Sequence, residues 1–329
     1  MSIALITLGG TIAMGGVDRG QPGVVTRLTG ADLTAAVPGL AELWVRLDVR
    51  DVRAVPSASL TYRQLLEVVG VASTAVAAGA TGVVVSQGTD TLEESAFLAD
   101  LVWPHTAPLV FTGAMRNPTL AGPDGPANLL AAIRVAAAPA AGDLGVLVVV
   151  NDEVHAARWV RKTHSTSTAT FASPNAGPIG QVIEGEVRVL VRPQRHDPLP
   201  SVDPERLDAT RVALYPVTLD DDGLLLTGVA DTHHGLVVAG FGVGHVPAAL
   251  APLLGKLAGR IPVLLTSRTG AGSVLSQTYG AVGSEADLQR RGLLNGGLLD
   301  PYKARVLLRL LLAAGLDGEA LAVALARFR

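Results

Sequence analysis

The chain has 329 residues, of which 49% are hydrophobic and 17% charged, enough for two domains with large apolar cores. A net charge of −3 without any run of Lys and Arg argues against a nucleic-acid surface, and the lack of cysteine excludes disulfide scaffolds, thiol catalysis and Cys-based metal sites. Aromatic residues make up only 4%, so Ala, Val and Leu must fill the core.

Residues 2–8 read as a short buried strand that runs into LGGTIA. The run has no cationic flank and leads to a glycine turn instead of a cleavage site, so no signal peptide is expected. No apolar stretch reaches the ~18 residues of a membrane span, and the expected location is the cytoplasm. Residues 14–27, rich in glycine, read as a loop. A helix is expected from Thr29 to just before Pro38, and another over 61–78, closed by Gly79. Strand 82–86, helix 91–102, strand 108–112, helix 126–138 and strand 144–150 follow. This alternation predicts a parallel α/β sheet. Residues 192–208 carry four prolines and mixed charge, which marks a linker. The expected division is a larger parallel-sheet domain over 1–191, a linker over 192–209 and a smaller α/β domain over 210–329. Strands at 211–217, 235–240 and 261–266 and helices at 247–258 and 302–314 build the second domain.

Two strand exits carry the chemistry. The first delivers Thr11 after Gly9 and Gly10; the second delivers Thr89 and Asp90 after Gly88. In an open parallel sheet such exits share one rim, where ligands bind. A threonine hydroxyl becomes a nucleophile when a neighbour takes its proton. Read locally, Thr11 is equally a turn residue. Thr89 and Asp90 suit a helix N-cap, with Glu93 and Glu94 in the first turn. Lys162, between Arg158, Arg161 and His164, reads locally as part of a solvated basic edge. A helix N-terminus also binds carboxylates, so capping and function can coexist. An amino-acid substrate would place its α-carboxylate on such N–H groups and its α-ammonium on Asp90.

GGTIA at 9–13 and QGTDTLEE at 87–94 resemble the two signatures of the two-threonine L-asparaginase/glutaminase family of bacterial type. FTGAMRNP at 111–118, GPDGPANLLAAIRVA at 122–136, RKTHSTSTATFASPNAGPIG at 161–180 and KARVLLRLLL at 303–312 extend the resemblance over nearly the whole chain. It implies hydrolysis of L-asparagine to L-aspartate and ammonia through an acyl-enzyme ester on Thr11. Thr89 and Lys162 would assist proton transfer, and Asp90 would anchor the ammonium. Gly10, Ser57, Gly88 and Ala114 match substrate-binding positions, and the backbone N–H groups of the two turns would hold the oxyanion. No cofactor or metal is implied. The adjacent His233 and His234 lack a third ligand at metal-site spacing. The partners implied are a small amino-acid amide and further copies of the chain, as a homotetramer built from intimate dimers.

Three departures stand out. Ala58 occupies a position that usually holds Gln or Glu against the substrate ammonium. The family's loop tyrosine falls among Gly23, Val24 and Val25. The asparagine that reaches a neighbouring subunit's site aligns with His245, and the acidic residue that accompanies it with Gln277, Tyr279 or Glu285. With a vacant tyrosine position, a slow enzyme with weak asparagine binding is expected. A dual glutaminase-asparaginase is the alternative, since one methylene in a pocket is worth only ~1–3 kcal/mol. A non-catalytic amino-acid-binding protein on the same scaffold is the alternative of another class.

Overall fold

The strand Ser2–Thr7 is buried on both faces, as a continuous apolar run predicts. Ile3 and Leu5 enter one apolar cluster and Ala4 and Ile6 another, because successive side chains leave a strand on opposite sides. Val84 and Val110 join the first cluster, and Val83, Val85, Leu109 and Phe111 the second. The structure is a computed structural model that describes residues 1–15, 25–26 and 28–329. It divides into two units, Met1–Pro198 and Leu199–Arg329.

The first unit holds an eight-stranded sheet. Its spatial order is Glu186–Val189, Gly180–Ile183, Glu153–Ala156, Val146–Val150, Leu109–Thr112, Gly82–Ser86, Ser2–Thr7 and Arg46–Asp51. The last five are mutually parallel. Helices Gly30–Ala35 and Gly125–Ala137 pack on one face, through Leu33, Leu129 and Ala132. Helices Tyr62–Ala77 and Leu92–Val102 pack on the other, through Val68, Ala72, Leu92 and Ala96. The many alanines at these contacts answer the shortage of aromatics. Thr29 with Asp32, and Thr61 with Gln64, form capping boxes that start two of the helices where the sequence places them.

The fold is an α/β sheet with a parallel core, but the sheet is mixed. Three strands beyond Val146–Val150 run antiparallel to their neighbours. Asn151 and Asp152, at φ 53° and 58°, make a two-residue hairpin loop, and Glu184 and Gly185, at φ 50° and 81°, make another. Positive φ at both loop positions is the hairpin geometry whose twist matches the strands. These strands are short and partly polar, so they lack the apolar run that reveals the parallel ones. Arg46–Asp51 was also hidden. Its alternating charges suit a sheet edge, where charge discourages pairing with another chain.

The expected loop 14–27 lies largely outside the described residues, as do Gly23 and Val24. Its two described ends form a short antiparallel ribbon, in which Met14 pairs with Thr26 and Gly15 with Val25.

The second unit has four parallel strands in sequential order, Val212–Pro216, Gly235–Gly240, Val263–Ser267 and Leu294–Asn295. Its helix Pro301–Ala313 begins at Asp300, whose carboxylate accepts the Tyr302 and Lys303 N–H groups. Helix Ala251–Ala258 starts later than the expected 247. Within the proline-rich segment, Pro204–Ala209 is helical, with Asp203 as its N-cap. Helices Glu285–Arg290 and Gly318–Ala326 are additional to those expected. Among the described residues, no helix is long and apolar enough to cross a membrane.

Candidate active site

Three strand exits of the first unit press together. Past the strand ends, Leu8 N–H donates to Ser86 O (2.9 Å) and Gln87 N–H to Thr112 O (2.9 Å), so the turns leave the sheet side by side. Gly10 lies at φ 89°, in the region that favours glycine, and a Cβ built on it would sit 2.3 Å from Gly88 N. The two signature turns therefore touch backbone to backbone. Thr11 follows as the first residue of the 3-10 turn Thr11–Ala13; it is half-buried, while Ile12 and Ala13 point into the core.

Beyond Gly88, a buried Thr89 and an exposed Asp90 precede helix Leu92–Val102. The N-cap of that helix is Thr91, and its side chain makes no cap bond. Thr91 Oγ1 instead donates to Ser57 O (2.9 Å). Thr89 and Asp90 are thus not caps, and the local alternative for them falls away. Ser57 is buried, and its Oγ accepts the Asp90 N–H (3.2 Å). A Cβ on Gly88 would lie 2.8 Å from the same oxygen. Its neighbour Ala58 is exposed.

Lys162 lies on the two-residue strand Arg161–Lys162, which pairs antiparallel with Phe171–Ala172. Its Nζ donates to Thr89 Oγ1 (3.0 Å) and to Asp90 Oδ1 (3.0 Å). The solvated-edge reading is thereby replaced: the lysine side chain is largely enclosed and spans two residues of the second signature. With its lone pair held by the ammonium, Thr89 Oγ1 donates its own proton to Met115 Sδ (3.4 Å), a weak acceptor. An ammonium at this distance stabilises the alkoxide over the hydroxyl.

Ala114 is buried, beyond the strand Leu109–Thr112. Asp124 fixes the segment that follows by accepting the N–H groups of Met115 (3.0 Å) and Arg116 (2.8 Å). Asn128 Nδ2 donates to Gly113 O (2.9 Å), and its Oδ1 accepts the Asn151 N–H (2.9 Å). Sequence reading missed Glu93, taking it only as a first-turn acid. Its carboxylate is buried, and Oε2 accepts the backbone N–H of Lys162 (2.6 Å). Its place one turn before the buried Phe97, on the inward side of the helix, was the available signal.

The second unit gathers another set of candidates. Glu285 Oε1 accepts the N–H groups of Thr278 (3.0 Å) and Tyr279 (2.7 Å), and Oε2 meets His245 Nε2 (3.0 Å). The His245 and Tyr279 rings meet edge to face at 4.9 Å. Burial pushes the Glu285 carboxyl up, but the backbone N–H bonds and His245 outweigh it and hold the group below its ordinary value. His233 and His234 join no metal cluster: among the described residues no three His, Asp or Glu side chains converge.

Comparison with known proteins finds asparaginases along nearly the whole chain. The model described as "Asparaginase, N-terminal" matches residues 2–195, and that described as "Glutaminase/Asparaginase C-terminal domain" matches 211–325. A protein of Deinococcus radiodurans named probable L-asparaginase is 34% identical, over 96% of this chain and 94% of its own length. One of Haemophilus influenzae named probable L-asparaginase periplasmic is 36% identical, over 72% and 67%. The crystal structure of a probable cytoplasmic L-asparaginase from Campylobacter jejuni superposes with a TM-score of 0.87 at 29% identity, covering 98% of each chain.

Proposed function

The chain belongs to the asparaginase/glutaminase family, and we propose that it is an L-asparaginase in which Thr11 is the nucleophile. It hydrolyses the side-chain amide of L-asparagine to L-aspartate and ammonia, a step in asparagine breakdown. The observation that carries the reading is the position of Lys162 Nζ, 3.0 Å from both Thr89 Oγ1 and Asp90 Oδ1. It links a poised hydroxyl to a carboxylate on the turn that touches the Thr11 turn.

Thr11 Oγ attacks the amide carbon, and its proton leaves toward the departing ammonia. Water then attacks the ester carbon, the bond to Thr11 Oγ breaks to release L-aspartate, and the water's proton passes by way of Thr89 to Thr11 Oγ while the Lys162 ammonium holds Thr89 in place. Asp90 pairs with the substrate α-ammonium. Ser57, already accepting from Asp90 N–H, keeps its own hydroxyl proton for the α-carboxylate. Because that Asp90 N–H is taken, the oxyanion falls to the other amides of the 9–11 and 88–90 turns. The Ala114 carbonyl accepts from the substrate amide, and Gly10 and Gly88 let the two turns and Ser57 pack closely beside it. No cofactor enters the scheme.

Steady-state kinetics on asparagine and glutamine side by side, for the wild type and Thr11→Ala, test this reading. The variant is expected to fold normally and lose turnover to the assay background. Near-wild-type turnover would remove Thr11 from the mechanism. A glutamine rate matching the asparagine rate would make the enzyme a dual glutaminase-asparaginase.

Two broader assignments complete the proposal. A homotetramer of intimate dimers is the first; Leu219, Leu224 and Leu225, largely exposed, support association of some kind, and light scattering reads the mass. A cytoplasmic location is supported by the name of the Campylobacter jejuni protein and opposed by that of the Haemophilus influenzae one. Cell fractionation decides between them.

A further inference from the structure

We propose that Glu93 is a positioning residue of the reaction, which sets where Lys162 meets Thr89 and Asp90 by holding the Lys162 backbone. The proposal rests on the catalytic role given to Lys162 above.

The strand that carries Lys162 is two residues long and pairs with a partner equally short. Such a ribbon fixes little by itself. Its far side is tied where Ser173 Oγ meets Nδ1 of the buried His155 (2.9 Å). On its near side, Thr163 N–H donates to Thr170 O (2.8 Å). Because bonded and non-bonded pairs alternate along an antiparallel ladder, the Lys162 N–H faces away from Phe171–Ala172. That outward N–H finds Glu93 Oε2 at 2.6 Å.

Glu93 is buried in the first turn of Leu92–Val102, the helix that follows directly from Thr89 and Asp90. The lysine is therefore fastened twice to one short stretch, 89–93. Its ammonium is held by Thr89 and Asp90, and its amide by Glu93. A charge-assisted bond is shorter and stronger than a neutral one, and this one, partly buried, spans 2.6 Å. The carboxylate also sits where a helix N-terminus favours negative charge. A long, rotatable lysine side chain keeps its reach only if its Cα is fixed, and here that fixing comes from the element that supplies both acceptors.

The test compares Glu93→Gln, Glu93→Asp, Glu93→Ala, Lys162→Met and the Glu93→Ala/Lys162→Met double variant. The readouts are kcat and KM for asparagine, with a thermal melt for each protein. The Gln variant keeps the reach and the acceptor oxygen, and should keep most of the turnover. The Asp variant keeps the charge but is one methylene short, and it should fall with Ala by up to ~10²-fold in kcat, the cost of a displacement of about 1 Å. KM should change less than kcat. The double variant should be no slower than Lys162→Met alone, because the proposed effect of Glu93 on turnover runs through that lysine.

A fully multiplicative double variant would overturn the proposal, as would an active Asp variant beside an inactive Gln variant, or Ala and Asp variants with wild-type kcat. A lowered melting temperature with unchanged kcat would reduce Glu93 to a purely structural group. If Glu93→Ala does not fold, the Asp and Gln variants decide between these outcomes. If Lys162→Met itself keeps wild-type turnover, the reading of the reaction fails, a result separate from all of these.

Discussion

Each unit has a basic side chain paired with a carboxylate beyond the ends of its parallel strands, and both pairs span 3.0 Å: Lys162 with Asp90, and His245 with Glu285. Their burial is reversed. In the first pair the lysine side chain is 18% exposed and the carboxylate 68%. In the second the imidazole is 36% exposed and the carboxylate 0%. Asp90 has an open side from which it can exchange or share its partner with an incoming ammonium. Glu285 is saturated by two N–H groups and an imidazole, so it organises its own loop. Equal distances thus accompany an exposed carboxylate that fits the proposed ammonium site in one place and a buried carboxylate tied to its own loop in the other.

The largest expected effect breaks the first pair. Asp90→Ala should lower kcat/KM for asparagine by ~10²-fold, since bonds to charged groups carry ~1.5–3 kcal/mol. Its melting temperature should barely move, because an exposed ion pair is worth at most about 1 kcal/mol. Unchanged kinetics with a depressed melt would reverse the assignment.

Glu285→Gln should show the opposite pattern, with kinetics near wild type and a stability loss of ~1–3 kcal/mol from disturbed buried acceptors. Chemical denaturation measures it. The sign of the pH dependence follows from the same carboxylate. Its folded pKa is held below the unfolded one, so its contribution is fully present above the unfolded value. That contribution is lost as pH falls from there through the folded value. The wild type should therefore lose stability more steeply than Glu285→Gln on acidification below about pH 4.5, the ordinary carboxyl value. Parallel acid limbs in the two melting profiles would show that Glu285 is not the group responsible.

The smallest effect sharpens the comparison. Ala58 is exposed beside Ser57, at a position where the family resemblance puts a polar ammonium contact. Ala58→Gln should lower KM for asparagine by up to about tenfold, one charged hydrogen bond's worth, with kcat little changed. An unaltered KM would mean that Asp90 suffices for the ammonium.

The parallel core was legible because its strands are continuous apolar runs, and Thr29, Thr61 and Asp300 mark helix starts in plain sequence. The mixed edge was not, because Glu153–Ala156 and Glu186–Val189 carry charge where an apolar run would have signalled a strand. Asn151-Asp152, a polar pair between two strands, was the readable trace of the hairpin. In the site, Thr11, Thr89 and Asp90 could be named from turn chemistry and motif. What Lys162 touches lies about seventy positions away in sequence, at |i−j| of 73 and 72, and no local pattern spans that. Glu93 was masked by a correct but incomplete reason for an acid in a first helical turn. Of the positions matching the loop tyrosine, Gly23 and Val24 lie outside the described residues and Val25 pairs with Gly15; none of the three carries a hydroxyl.

The contact between Gly10 and Gly88 also bears on how this enzyme can be engineered. A methyl group at position 10 would collide with backbone, which cannot swing aside as a side chain can. Gly113 is similarly closed, since its Cβ would lie 2.5 Å from Gln87 O. Libraries aimed at a new amide substrate gain nothing from randomising these codons. The variation this architecture can absorb lies one step outward, at the exposed Ala58, next to the Ser57 on which the second turn packs.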